Sequence, residues 1–331
     1  MREELRGRHL VNRRGRSAAT LQRGFMPGAE MTILVTFCAM LPGEAHIVFN
    51  PTADRGRAAA KRDVVSRSLR ERGVAAVWHV TKGPGHARRI VESLPEGALA
   101  VAMGGDGTVH EVAAACVEAG RVMAVLPAGS GNDYVKALGI GADLGRALEV
   151  LVAGKVRRVD TGEVNGEPFN NGLGIGFDAQ VAAGVATAPE FLGGAGRYAW
   201  SVAKLLWGFR CHEASLKLDG EAVAAKTILV AVALGTTYGS MFRLAPEARL
   251  DDGLLDVVWS DEVSRAEVVR LIPPALSGTL LRHPKVHLAR AREVVVEMER
   301  AVPAHVDGEI LPPTRRFRAR VRAGALRVLA P

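Results

Sequence analysis

Residues 98–133, ALAVAMGGDGTVHEVAAACVEAGRVMAVLPAGSGND, hold two unbroken apolar runs, and each run ends in a glycine-rich turn that opens a helical stretch. Strands buried on both faces read as continuous apolar runs, so 98–103 and 122–126 predict neighbouring parallel strands. Toward the N-terminus the same rhythm continues. An apolar run from residue 46 ends in Asn50 and Pro51, followed by a helix over 57–72, a run over 75–80 and a helix near 84–94. A helix over 108–119 joins the two quoted runs, and helices near 133–138 and 143–153 follow them. Apolar runs separated by amphipathic helices imply an α/β fold whose parallel sheet is covered on both sides. Right-handed crossovers then collect the strand C-termini, and any ligand, at one edge.

Beyond about residue 157 the texture changes to short strands and Gly/Asp turns, at 156–164, 215–218, 226–234, 255–259 and 293–298. Helices are expected at 196–209 and 264–271, the second followed by Pro273 and Pro274. This predicts a second, mostly antiparallel domain. A length of 331 residues agrees with two domains at roughly 150 residues each.

Hydrophobic residues at 48% and charged residues at 24% exclude disordered, collagen-like and low-complexity classes. Cys38, Cys116 and Cys211 are far apart and lack CxxC spacing, which fits a reduced, cytoplasmic compartment better than a disulfide framework or a zinc site. The apolar run 31–41 is shorter than the roughly 18–20 residues of a membrane helix. Half of the net charge of +8 sits in residues 1–30, which carry seven Arg against three Glu. Residues 1–44 are expected to be a disordered basic extension or untranslated sequence ahead of a later start, with an arm for anionic lipid as the functional alternative. Such an arm predicts salt-sensitive, peripheral contact with an anionic membrane, and nucleic acid is not expected as a partner. Oligomeric state, a homodimer included, stays open.

Gly104, Gly105, Asp106, Gly107 and Thr108 follow one apolar run and start a helix, where bare backbone and N–H groups favour phosphate oxygens. An Asp beside phosphates makes sense if it acts through Mg²⁺ or a water network. The same loop fits a turn in which Asp or Thr caps the helix. Gly129, Ser130, Gly131 and Asn132 form a second such loop, predicted at the same sheet edge, and Asn132 or Asp133 is suited to capping the next helix. Neither a Walker A motif nor a GxGxxG fingerprint is present in the right context. Asp252–Gly253 and Asp307–Gly308 each read as tight hairpin turns. The aromatic helix holding Tyr198, Trp200, Trp207 and Phe209 suits core packing more than an acyl groove. Histidines 79, 86, 110, 212, 283, 287 and 305 have no HExxH spacing, and none is read as a metal ligand or triad member.

FNPTADRGRA at 49–58, TKGPGHA at 81–87, GGDGTVHEV at 104–112, LPAGSGNDYVKALGI at 126–140, NNGLGIGFDAQV at 170–181, LDDGLLDVV at 250–258 and HVDGE at 305–309 complete the set. In this order they resemble the diacylglycerol kinase catalytic-domain superfamily, which includes sphingosine kinases and soluble bacterial lipid kinases. The resemblance implies an ATP-dependent lipid kinase with an NAD kinase- and phosphofructokinase-like α/β domain and a β-sandwich-like second domain. It divides the chain into 45–157 plus a returning 315–331 for ATP and 158–314 for the lipid. It implies that Asn50, Thr52, Thr81, Gly104, Gly105, Asp106, Gly107, Thr108, Glu111, Gly129, Ser130 and Asn132 surround the nucleotide. Ser130 stands where the family usually has Thr, which keeps the hydroxyl. Asp178 is implied at the lipid head, and Asp252 at a Mg²⁺ with carbonyls of Arg249 and Leu254. Glu309 is implied as proton acceptor from the lipid hydroxyl, near Asp106. Diacylglycerol is the expected membrane lipid substrate. NAD kinases share GGDGT, but the TGSTAY-like stretch expected of them is absent; a catalytically silent lipid- or nucleotide-binding member is the third alternative.

Overall fold

The structure, a computed structural model, describes residues 44–208 and 210–331. The basic arm, the apolar run 31–41, Cys38 and Phe209 lie outside the described residues.

The first half is the expected parallel sheet. Strands β1 (Glu44–Phe49), β2 (Ala75–Val80), β3 (Leu99–Gly104) and β4 (Val122–Pro127) lie in the order β2-β1-β3-β4, all parallel. All six residues of β3 are buried, which is why its sequence shows no alternation. Helices α1 (Ala58–Glu71), α2 (His86–Ser93), α3 (Asp106–Glu118), α4 (Asp133–Ala137) and α5 (Leu144–Ala153) connect the strands, with α1 against α5 and α2 against α3. Val65 and Leu69 of α1, and Val109 and Val112 of α3, are buried in the shared core.

In the second half come β5 (Val156–Val164), β6 (Glu167–Phe169), β7 (Gly172–Gly176), α6 (Phe177–Thr187), α7 (Gly193–Trp207), β8 (His212–Leu218), β9 (Glu221–Thr227) and β10 (Leu229–Ala233). They are followed by β11 (Leu255–Ser260), α8 (Arg265–Ser277), β12 (Val286–Ala291), β13 (Glu293–Val306) and β14 (Glu309–Leu329). Pairing among these strands is antiparallel throughout. Strand β14 joins the halves: it leaves β13 at Glu309, runs along β5, and finishes parallel to β4 with Arg327 and Val328 beside Val122 and Met123.

Several expectations change. The segment 226–234 is two strands, because Thr227 turns its hydroxyl onto Leu229 and Ser260 and breaks the run without any Gly or Pro. Helix α6 was not anticipated, since FDAQVAAGVAT has no clear apolar stripe. Helix α8 continues through Pro273 and Pro274 to a left-handed Gly278, and the Pro274 carbonyl accepts from the N–H of both Gly278 and Thr279. Trp200 is 50% and Trp207 87% exposed, so the aromatic face of α7 is not core. Asp252–Gly253 does not close a hairpin either; it leads into β11 after a long loop.

That loop is tied down by Asp160 of β5. Its carboxylate accepts from the N–H of Gly253 and of Gly324, both at 2.7 Å, and Gly324 sits at φ 57° in the bulge where β14 shifts register against β5. Asp160 is 2% exposed. Replacing it by Ala orphans two backbone donors, so Asp160→Ala is expected to lower stability by about 2–4 kcal/mol in urea unfolding.

Candidate active site

The turns after β3 and β4 lie side by side at the C-terminal edge of the parallel sheet, where open α/β folds bind ligands. They are in direct contact. A Cβ on Gly129 would lie 2.4 Å from the Gly105 Cα, and one on Gly104 would lie 2.4 Å from Thr108 Oγ1. A Cβ on Gly131 would lie 2.4 Å from Asp106 Oδ2. These glycines are therefore demanded by the packing of the two loops as well as by any phosphate. Asn132 sits in the left-handed region at φ 54°, and its side chain braces its own loop by accepting from Gly129 N at 3.1 Å and donating to Gly129 O at 2.8 Å. Ser130 is exposed at the loop tip.

Gly105 precedes α3 and Asp106 is its first residue, so neither Asp106 nor Thr108 caps that helix. Instead the Asp106 carboxylate reaches across and accepts from Asn132 N at 3.0 Å and Asp133 N at 2.8 Å, the amides that open α4. Burial, and after it the charge of Asp133, push the Asp106 pKa up to about 6 against the pull of those amides. Asp133 itself accepts from Ser240 N at 2.8 Å and from Lys136 Nζ at 3.0 Å, tying α4 to a loop of the second half. Nothing in the sequence separates this role from helix capping, because Ser240 lies 107 residues away.

A cleft beside the glycine loops is lined by Asn50, Thr52, Thr81, Gly107, Thr108 and Glu309, with Lys82 as a cation not anticipated from sequence. Asn50 Nδ2 donates to Thr108 Oγ1 at 3.2 Å, while its Oδ1 accepts from the N–H and hydroxyl of Thr52. Thr81 N donates to Phe49 O at 2.8 Å. Glu111 also faces this cleft, yet its carboxylate is occupied: it accepts from Gly85, Ala87 and Arg88 N–H groups and so anchors the start of α2. The cleft is polar, glycine-walled and open to phosphate, and suits a nucleotide.

Glu309 enters from β14. A Cβ on Gly107 would lie 2.9 Å from Glu309 Oε1, so this carboxylate rests against the first turn of α3 that carries Asp106. The hairpin expected at 307–308 is present, with Asp307 at φ 51° and Gly308 at φ 95°. Asp307, Asp106, Asp133, His110 and Tyr134 line a second, more enclosed polar cavity. Asp178 is the second residue of α6, and its side chain lies outside the described residues. Arg249, Asp252 and Leu254 line neither polar cavity. Asp252 Oδ1 accepts from Leu254 N at 3.1 Å, and the Arg249 guanidinium turns to Asp251. The carboxylate and carbonyl oxygens of this turn are hard donors of the kind Mg²⁺ takes. Among the described residues no three His, Cys, Asp or Glu side chains converge as a metal cluster, so a divalent ion at this turn would rely on carbonyls and water.

The loop contact makes a sharp prediction. Gly129→Ala forces β3 and β4 apart at the glycine turns, and a stability loss of about 1–3 kcal/mol is expected in urea unfolding.

The diacylglycerol kinase catalytic domain matches residues 44–164, and the YegS C-terminal NAD kinase beta sandwich-like domain matches 172–330. A diacylglycerol kinase of Bacillus subtilis (strain 168) is 29% identical over 272 residues, covering 80% of this chain and 89% of that protein. A Chromohalobacter salexigens protein named "Probable lipid kinase YegS-like" is 30% identical over 279 residues, covering 82% and 88%. In fold, the chain matches a crystal structure of a diacylglycerol kinase from Bacillus anthracis str. Sterne with a TM-score of 0.69 at 20% identity, over 87% of this chain and 97% of that one. The glycine loops and the HVDGE turn thus sit in a parallel-sheet catalytic domain followed by a β-sandwich-like one, and the chain belongs to the diacylglycerol kinase and YegS-like family of lipid kinases.

Proposed function

We propose that this lipid kinase transfers the γ-phosphate of ATP to the free hydroxyl of diacylglycerol, giving phosphatidic acid. The observation that carries this is an apolar chamber one strand's length from the polar cavities. Phe177, Val181, Val202, Leu229, Trp259 and Leu271 are among its walls. Strand β7 spans the gap: Gly172 lines the polar cavity, Phe177 follows the strand's far end, and five residues at ~3.3 Å each place them about 16 Å apart. That separation suits an alcohol at one end and acyl chain at the other, and it supports a lipid with long apolar tails. A sphingoid base or another lipid alcohol is the alternative.

The chemistry assigned to the residues is simple. Glu309 accepts the proton of the lipid hydroxyl, the new bond forms from that oxygen to the γ-phosphorus, and the bond to the ADP oxygen breaks. Asn50, Thr52, Thr81 and the glycine turns hold the nucleotide. Mg²⁺ bound with ATP supplies charge neutralisation. Asp106, pinned on two amides, fixes the loops around the transferring group.

Access to a membrane is supported by α7. Trp200, Lys204 and Trp207 share one face at i, i+4 and i+7, and Phe191 just before the helix is 87% exposed. No helix among the described residues is long and apolar enough to cross a bilayer. Exposed aromatics with a cation on one helix face suit burial at the headgroup boundary, with the apolar chamber lined from the same helix by Val202.

The deciding experiment is ATP-dependent phosphorylation of a mixed-micelle panel containing diacylglycerol, sphingosine, ceramide, phosphatidylglycerol and undecaprenol. Diacylglycerol is expected to be the preferred acceptor; preference for another alcohol would name that one instead. Glu309→Gln is expected to lower kcat by about 10³-fold with ATP binding retained, and near-wild-type turnover would remove Glu309 from the mechanism. Because an ionised Asp106 accepts both α4 amides, kcat/KM is expected to rise with pH through about 6, and Asp133→Asn should move that limb to lower pH by removing the neighbouring charge. Replacing Trp200 and Trp207 by Ser is expected to weaken vesicle binding about tenfold or more while leaving turnover of a dispersed short-chain substrate intact.

A further inference from the structure

His110 follows Asp106 by four residues on α3, so the two side chains share a helix face. It lines both polar cavities, the nucleotide cleft with Glu309 and the enclosed cavity with Asp106 and Asp133. Its Nδ1 stands 2.8 Å from Oδ2 of Asp307, with the two side chains only 14% and 5% exposed. Asp307 also accepts from the backbone N–H groups of Asn170, Asn171 and Gly172 at 2.8, 2.8 and 2.9 Å. A carboxylate gathering that many donors is ionised and only accepts, so the proton in the contact belongs to His110 Nδ1.

The consequence is positional. Asp307 opens the turn whose next strand begins with Glu309, and His110 belongs to the helix whose first residue is Asp106. The N–H groups of Asn170, Asn171 and Gly172 hold the turn to the start of β7, within the second half. His110 holds the same turn to α3, across the cleft.

We infer that His110 is a positioning residue for phosphoryl transfer: through its Nδ1–H bond to Asp307 it sets the Glu309 turn against Asp106. This rests on the assignment of Glu309 as proton acceptor. The titratable groups that line the two cavities with the imidazole are Asp106 and Glu111 from its own helix, Asp133 and Tyr134 from α4, Lys82 from the loop before α2, His305 from β13, and Asp307 and Glu309 from the β13–β14 turn and β14. Burial pulls the His110 pKa down, but the hydrogen bond and charge of Asp307, then the charges of Glu309 and Glu111, outweigh it and the net shift is upward. The imidazolium form is thereby favoured, and its charge-assisted bond weakens once pH rises past that raised pKa.

Three substitutions test the inference. His110→Asn offers an amide N–H near the place of Nδ1, whereas His110→Gln presents its donor near Nε2 and His110→Ala none. The Ala variant is expected to lose about 10- to 100-fold in kcat with little change in KM for ATP. Asn should recover most of that loss, Gln should not, and the Asn variant should lack the alkaline fall in activity. A thermal midpoint near wild type, with ATP binding retained, shows that the Ala variant is folded. An Ala variant with wild-type kcat, or an Asn variant no better than Gln, overturns the inference. Imidazole NMR of the substrate-free protein separates it from the Glu309 assignment: a hydrogen-bonded Nδ1–H signal of His110 should vanish in Asp307→Asn. Its absence from the wild type refutes the clasp even if lipid is phosphorylated, while its presence together with near-wild-type turnover in Glu309→Gln refutes the Glu309 assignment alone.

Discussion

The near-contact of Gly105 with Gly129 is the constraint from which the rest of the site follows. Adjacent parallel strands bring two turns to the same edge, but only the lack of a side chain lets them close to this distance. Once they have closed, the carboxylate that begins α3 reaches the amides that begin α4. That contact satisfies the first amides of α4 at the cost of a buried carboxylate whose pKa has climbed to about 6.

One device recurs within the second half and between it and this edge. Asp133 takes the Ser240 amide, Asp307 takes three amides of 170–172 and the His110 imidazole, and Asp160 takes those of Gly253 and Gly324. Loops at sheet edges carry N–H groups with no ladder partner, and a carboxylate with two acceptor-only oxygens satisfies two or three of them at once. The acidic residues around the site therefore divide by employment. Most are spent on backbone, whereas Glu309 lies exposed against Gly107.

Legibility in the sequence follows the same division. Strands β1, β3 and β4 were readable within a residue or two because burial on both faces leaves an uninterrupted apolar run, and the partly buried edge strand β2 because it is apolar apart from His79. The glycine turns, Asp106 and Glu309 were readable as motifs. The contacts of Glu111, Asp133, His110 and Asp307 were not, since each reaches a partner 23 to 197 residues away that no local pattern announces. Helix α6 was hidden by its small, evenly apolar residues, and the exposed face of α7 by aromatics that in most helices would be core. For Glu111, Asp133, His110 and Asp307 the missing information was the identity of a distant neighbour.

Strand β14 has a further bearing on how the protein is made. Its Arg327 and Val328 pair with Val122 and Met123, about 200 residues earlier, so the outer edge of β4 has no partner until that length has been synthesised. At roughly 5–20 residues per second, the edge stays open on the ribosome for about 10–40 s. An uncovered, apolar strand is a template for unwanted pairing with other chains. The nascent first half therefore depends on being shielded during translation, and conditions that slow elongation lengthen the period in which it is vulnerable.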